Sequence, residues 1–269
     1  MAIIALQSAS SGLNALSTKL DVIANNLANV ETTGFKTSRV NFQDQLYIER
    51  MQPGVENANG DQRPTGLYVG LGVKVSGTQV DFDQGAPIVT NRPLDLTIDG
   101  AGFFQVAVEE GLSGEGTAYT RYGAFALNAE GGLVLATDQG RQLDPSVTIP
   151  DDATAVDIDS EGRVFATIPG SVEPQEVGQL QIATFVNPAG LRQVGENLWV
   201  ESAASGPPSV GNPAEDQRGR IRQGQLEGSN VDPTRELVEL IRTQRAFEMN
   251  SQSIRAADDA LQTVAQLRR

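Results

Sequence analysis

Ala24-Asn25-Asn26-Leu27-Ala28-Asn29-Val30-Glu31-Thr32-Thr33-Gly34-Phe35-Lys36 marks the place where a strongly periodic helix stops. Upstream of it Leu6, Leu13, Leu20 and Leu27 stand seven apart, and Ala9, Leu16, Ile23 and Val30 follow each of them by three. Successive a/d pairs of this kind form a coiled-coil seam, an apolar stripe made to be covered by another helix. The stop is also written in the residues. Asn29, Thr32 and Thr33 compete for backbone hydrogen bonds, and Gly34 supplies a left-handed cap, so the helix is expected to end between Val30 and Gly34.

A second seam lies at the far end. Asp232 as N-cap and Pro233 at the first helical position open a helix, in which Leu240, Phe247, Ile254 and Leu261 repeat at seven with Thr243, Asn250, Ala257 and Val264 three further on. A polar Asn250 in such a seam costs stability and fixes register. Between the helices the text changes to short β-branched runs separated by turn signals. These runs are 68–79, 94–98, 102–108, 119–127, 132–136, 155–158, 163–168 and 180–186, and their spacing predicts a sandwich or barrel-like β region. Asn128-Ala129-Glu130-Gly131 and Asp159-Ser160-Glu161-Gly162 read as hairpin turns with glycine at positive φ. Trp199 reads as core packing. The expected class is α+β: N- and C-terminal helices forming a coiled-coil-like domain, with a central mainly-β domain. The expected boundaries are 1–33 for the first helix, 34–66 for an extended linker or insertion, 67–217 for the acidic β region and 218–269 for the C-terminal segment and helix.

Composition excludes several kinds of chemistry. The 269 residues include neither cysteine nor histidine, which removes disulfides, thiolate metal sites, and Ser-His or Cys-His catalysis. The apolar run Ala2–Leu6 is too short for a signal-peptide core or a membrane span. The formal charge of −14 is uneven: residues 1–46 are balanced, 218–269 carry a slight basic excess, and the acid lies between them. Such a field disfavours nucleic acid and anionic lipid, so neither a nucleic-acid partner nor direct membrane insertion is expected.

No motif in the chain carries catalytic chemistry. Asp157-x-Asp159-x-Glu161-Gly162 begins like a calcium loop, but its twelfth position is Ile168, so the bidentate carboxylate is missing. Gly70-x-Gly72 and Gly100-x-Gly102 lack the third glycine of a dinucleotide site and read as turns. The carboxylate pairs Asp151-Asp152 and Asp258-Asp259 have no partner located across a cleft. An acid–base hydrolase is therefore a remote alternative, and no cofactor and no enzyme activity are expected.

The residues around the first stop also carry a resemblance. Asn25, Asn26, Leu27, Asn29, Gly34, Phe35, Lys36 and Arg39 resemble a signature shared by axial proteins of the bacterial flagellum, the rod and hook family. Glu227, Ser229, Asn230, Val231, Asp232, Glu236, Ile241, Gln244, Arg245 and Asn250 resemble its C-terminal motif, with Phe247 in place of a common tyrosine. Gly100-x-Gly102-Phe103-Phe104 and Tyr119-Thr120-Arg121-x-Gly123-x-Phe125 match between them. Chain length and the stretch from Leu46 to Gly54 look most like the distal-rod branch, with a proximal-rod or hook subunit as the alternative within the family. A coiled-coil-mounted adhesin or carbohydrate-binding β domain is the alternative from another class.

The resemblance implies a helical polymer of this chain that transmits torque from motor to hook. Implied partners are other rod subunits, the hook protein, the surrounding periplasmic and outer-membrane rings, and the type III export apparatus. The resemblance also implies export without a cleaved signal peptide and a location in the basal body from periplasm to outer membrane. The assembly seam is then Leu6, Leu13, Leu16, Leu20, Ile23, Leu27 and Val30 with Leu240, Phe247, Asn250, Ile254 and Leu261. The stretch 47–64, a long loop from Ile48 onward, offers Tyr47, Ile48, Met51 and Val55, with Pro53 and Pro64 limiting its entropy, as a segment expected to stiffen contacts between subunits.

Overall fold

A computed structural model describes residues 2–54, 64–109, 111–113, 116–170 and 173–267. The chain forms two compact units. The first comprises 1–28, 38–79 and 232–269, and the second comprises 29–37 and 80–231.

In the first unit, helix α1 is Ala2–Ala28, followed by strands β1 (Ser38–Asp44), β2 (Tyr47–Met51), β3 (Leu67–Gly70) and β4 (Val73–Val80). Strands β1 and β4 form one ribbon, and β2 pairs antiparallel with β3. Residues read as part of a long loop thus supply a strand. All five residues of β2 are exposed, so no buried face imposes the apolar–polar alternation from which strands are recognised. Val55 of the proposed stiffening segment lies outside the described residues. Helix α1 stops at Ala28, earlier than its seam predicts. The Asn29 carbonyl accepts from Thr32 N–H at 3.2 Å and the Asn29 side chain accepts from the Thr32 hydroxyl at 3.1 Å, which closes a turn in place of another helical turn. Val30 therefore lies beyond the helix, and Gly34 takes φ +71°.

The second unit follows with β5 (Pro87–Val89), β6 (Leu96–Asp99), β7 (Phe103–Ala107), β8 (Thr117–Thr120), β9 (Phe125–Leu127), β10 (Leu133–Leu135), β11 (Ala155–Ile158), β12 (Arg163–Thr167), β13 (Gln175–Gln179), β14 (Ile182–Thr184), β15 (Arg192–Gly195), β16 (Leu198–Val200), β17 (Ser209–Gly211), β18 (Arg220–Gln223) and β19 (Gln225–Glu227). Its largest sheet has the order β15-β16-β8-β7-β14-β17, a second has β11-β12-β13, and β9 with β10, β6 with β18 and β5 with β19 form ribbons. Both predicted hairpins are present, with Gly131 at φ +75° and Gly162 at φ +80°.

The central strands β16, β8, β7 and β14 of the large sheet are buried on both faces, and alternation decides which residue serves which face. Phe104, Val106, Ala118, Leu198, Val200 and Ile182 enter a core shared with Leu96, Phe125, Leu133 and Val164. Their neighbours Phe103, Tyr119, Trp199 and Ala183 pack on the other side against Phe82 and Phe185. Trp199 meets Phe82 and Phe103 edge-on at 5.5 and 5.9 Å, the geometry aromatic quadrupoles favour.

The first unit resumes with helix α2, Pro233–Leu267. The Asp232 carboxylate accepts from Thr234 N–H at 2.9 Å and Arg235 N–H at 3.2 Å, an N-cap that occupies two of the otherwise orphaned donors. No helix among the described residues is long and apolar enough to cross a membrane.

Candidate functional site

In the first unit α1 and α2 lie antiparallel. Early on α1, a Cβ on Gly12 would sit 2.9 Å from the Asn250 side-chain nitrogen. Further along, the Lys19 ammonium meets the Glu239 carboxylate at 2.8 Å, and near its end Asn26 bonds the Glu236 side chain. Lys19 holds the Glu239 carboxyl below its ordinary value, whereas burial pushes Glu236 up. Asn26 also ties down the start of β1: its amide donates to the Ser38 carbonyl at 2.8 Å and its oxygen accepts from Ser38 N–H at 3.0 Å.

The face of α1 turned to α2 thus carries Gly12, Ala15, Lys19, Ile23 and Asn26. Ile23 is shared with the heptad seam, and Leu16, seven residues before it, lies only about 20° from it; Leu6, Leu13, Leu20 and Leu27 turn roughly 100° away from the centre of that face, and all five leucines stay half-buried. On α2, Thr243 is buried, Leu240, Asn250 and Ile254 are half-buried, and Phe247 and Leu261 are exposed. Leu237, Val238 and Ile241 lie about half a turn away from the contact with α1 and are 46, 43 and 48% exposed. The leucine repeat gives no sign of the contact made by Gly12, Ala15 and Lys19, because small and polar residues leave no trace in hydrophobic periodicity.

In the second unit, residues 29–37 are held by a buried clasp. The Lys36 ammonium, with no exposed side-chain surface, donates to Glu227 Oε1 at 2.6 Å and to the Asp83 carbonyl at 2.7 Å. The Arg121 guanidinium reaches Glu227 Oε2 at 3.3 Å and the Ile98 and Gly100 carbonyls at 3.1 and 2.6 Å, and lies over the Phe103 ring at 5.5 Å. Glu227 Oε1 also accepts from Gly85 N–H at 3.0 Å. Burial lowers the Lys36 and Arg121 pKa values, and the Glu227 charge opposes that shift for both.

The backbone completes the clasp. Gly34 N–H donates to the Glu227 carbonyl at 2.8 Å, Thr37 N–H to Asn230 Oδ1 at 2.7 Å, and the Asn197 amide to the Thr33 carbonyl at 3.1 Å. Gly34 combines positive φ with close approach, since a Cβ there would lie 2.9 Å from the Tyr122 nitrogen.

The remaining motif residues are dispersed. Asn25, Gln244 and Arg245 are exposed, Asn29, Phe35, Ser229 and Asn230 are half-buried, and Val231 is buried. Tyr47, Ile48, Met51, Pro53 and Pro64 are exposed. Arg121 and Glu227 belong to quoted motifs, but their joint role is invisible in sequence because 106 residues separate them. The calcium-like run is a hairpin in which Asp159 pairs with Arg163 at 3.1 Å, and among the described residues no carboxylate cluster could hold a metal ion.

Three family profiles match in chain order. Residues 6–36 match the flagella basal body rod protein family, 97–166 the D1 domain of flagellar hook protein FlgE/F/G, and 222–267 the C-terminal region of flagellar basal body rod FlgEFG proteins. Flagellar basal-body rod protein FlgG of Caulobacter vibrioides is 43% identical over 98% of this chain and 99% of its own length. The FlgG proteins of Agrobacterium fabrum and Bacillus subtilis are 44% and 39% identical, over 97% and 98% of this chain and 98% of each relative. Identity at this level from one end to the other spans both helices, the β-rich unit and the clasp, and the chain belongs to the FlgG family of flagellar basal-body rod proteins.

Proposed function

We propose that this protein is a structural, non-enzymatic subunit of the flagellar distal rod, polymerising helically into the shaft that carries torque from motor to hook. The observation that carries this reading is the unbroken similarity to FlgG proteins across 97–98% of the chain. An interface that joins unlike surfaces and does not close on itself generates a filament, and the half-buried leucine stripe of α1 and the exposed apolar stripe of α2 supply unlike surfaces. We take the two terminal helices to form the assembly seam, the acidic unit to face the surrounding rings, and other rod subunits and the hook protein to be the neighbours along the axis. The test is an affinity-tagged chain supplied to a strain lacking its own copy, followed by electron microscopy of purified basal bodies. Label along the distal rod and restored swimming are expected; label confined to the hook, or absent from basal bodies, overturns the reading.

We also propose that the segment 47–64 stiffens contacts between subunits, and the exposed β2–β3 pairing supports this reading. Tyr47, Met51, Leu67 and Tyr68 are 57, 47, 47 and 51% exposed, which leaves apolar surface on this strand pair among the described residues. Deleting 47–64 is expected to leave a subunit that folds and polymerises into a curved or flexible polymer, and a Gly/Ser replacement of equal length should do the same. Straight rods of unchanged stiffness in electron micrographs would remove this role from the segment.

The charge falls entirely in one unit: acidic and basic residues balance in the first, and the second carries the whole −14. A surface of one sign opposes adhesion to an acidic or mixed-charge wall. Reversing Asp151, Asp152 and Asp157, all exposed, to lysine should preserve the rod and slow rotation at a given load. Unchanged torque–speed curves would confine the charge to solubility.

A further inference from the structure

The clasp joins the two family signatures within one chain, and it does so with polar groups alone. The apolar clusters of the second unit are drawn from residues between Phe82 and Ile221. Neither residues 29–37 nor Glu227 to Asn230 contribute to them. The Lys36–Glu227 and Thr37–Asn230 bonds instead bridge 191 and 193 residues. Contacts across such separations close long loops and return little until both ends are placed. Burying the Lys36 and Arg121 cations is also unfavourable until Glu227 is there to pair with them.

We propose that the clasp is the last part of the second unit to close, so that the N-terminal signature docks only after the C-terminal signature has arrived on an already formed β core. The device is a check that the chain has been extended through Asn230. A chain emerging from its N-terminus can form every apolar contact of the core while 29–37 stays undocked, because its counter-charge lies at position 227 of 269. Only a chain that extends through Asn230 has residues 29–37 held in place. This reading stands on the clasp geometry and does not depend on which polymer the chain builds.

Hydrogen exchange of the full-length protein, followed by mass spectrometry with peptide resolution, tests it. The amides of Gly34, Thr37 and Asn230 are expected to exchange through an opening that leaves those of β7 and β12 protected. Glu227→Gln should accelerate exchange of the clasp amides roughly tenfold or more while β7 and β12 stay as they were. In stopped-flow experiments the same variant should refold within about twofold of the parent rate and show its loss in faster unfolding. Clasp and core amides exchanging together at one rate overturn the proposal. So does refolding slowed in proportion to the stability lost. A Glu227→Gln chain that fails to form the core at all overturns it as well, since the core residues lie within 82–221.

Discussion

Replacing Gly123 with alanine is expected to destabilise the second unit by about 3 kcal/mol or more, whereas the same change at Gly111 should stay within about 0.5 kcal/mol. A Cβ on Gly123 would stand 1.7 Å from the Leu96 carbonyl oxygen and 3.5 Å from the Phe104 ring. Backbone offers no rotamer by which to retreat. Separation to ordinary contact must move β6 away from the 123–125 segment, and that seam is held by Leu96 N–H to Gly123 O at 2.8 Å and Phe125 N–H to Leu94 O at 3.1 Å. The same movement would pull apart Phe104 and Phe125, fully buried and edge-on at 5.2 Å. A Cβ on Gly111 meets nothing within 4 Å, so alanine there acts chiefly by restricting the unfolded chain. Urea midpoints of the two full-length variants against the parent decide it. Equal midpoints would show that the strands relax around the methyl group without loss.

Gly123 also shows where sequence reading stops. It is visible as one letter in a family pattern, but its reason is a carbonyl 27 positions earlier in the chain, which no periodicity reports. The legible features were those whose cause is local: the Asp232 cap, Gly131 and Gly162 in their hairpins, the burial of Trp199, and the flagellar family itself through its paired terminal motifs. The helix end after Ala28 and the strand β2 were less visible. In the first, an Asn29 turn outcompeted the heptad repeat; in the second, a strand exposed along its whole length had no reason to alternate. The clasp was the least legible. Lys36, Arg121 and Glu227 are unremarkable charges in a chain where 20% of residues are charged, and only their convergence in an apolar interior gives them a role. The seven-residue repeat of α1 was plain, yet the side of the helix turned to α2 shares Ile23 with it and is otherwise marked by Gly12, Ala15 and Lys19, which no hydrophobic repeat reports.

That displaced stripe leads to the prediction with the largest functional effect. Helix α2 has apolar residues on two sides, one turned to α1 and the other formed by Leu237, Val238 and Ile241, which are 46, 43 and 48% exposed. A helix buried on one side only would carry polar residues on the other, so the second stripe calls for a second neighbour, which we assign to an adjacent subunit. Ile241→Asp should leave the isolated subunit as stable as the parent within about 0.5 kcal/mol, because the site is solvated there. In the polymer the carboxylate would be buried without a partner, at a cost of several kcal/mol per contact. About 4 kcal/mol raises the subunit concentration needed for assembly roughly a thousandfold, and the penalty recurs at every contact along the shaft. Leu20→Asp on the leucine stripe of α1 should act in the same direction, with an added loss of subunit stability because Leu20 is half-buried within its own unit. Swimming in soft agar and rod length in purified basal bodies are the measurements, with the urea midpoint of the purified subunit as the control. Loss of rods with an unchanged midpoint for Ile241→Asp is the expected result. Normal swimming by that variant would mean that the outer stripe of α2 remains in water in the finished rod.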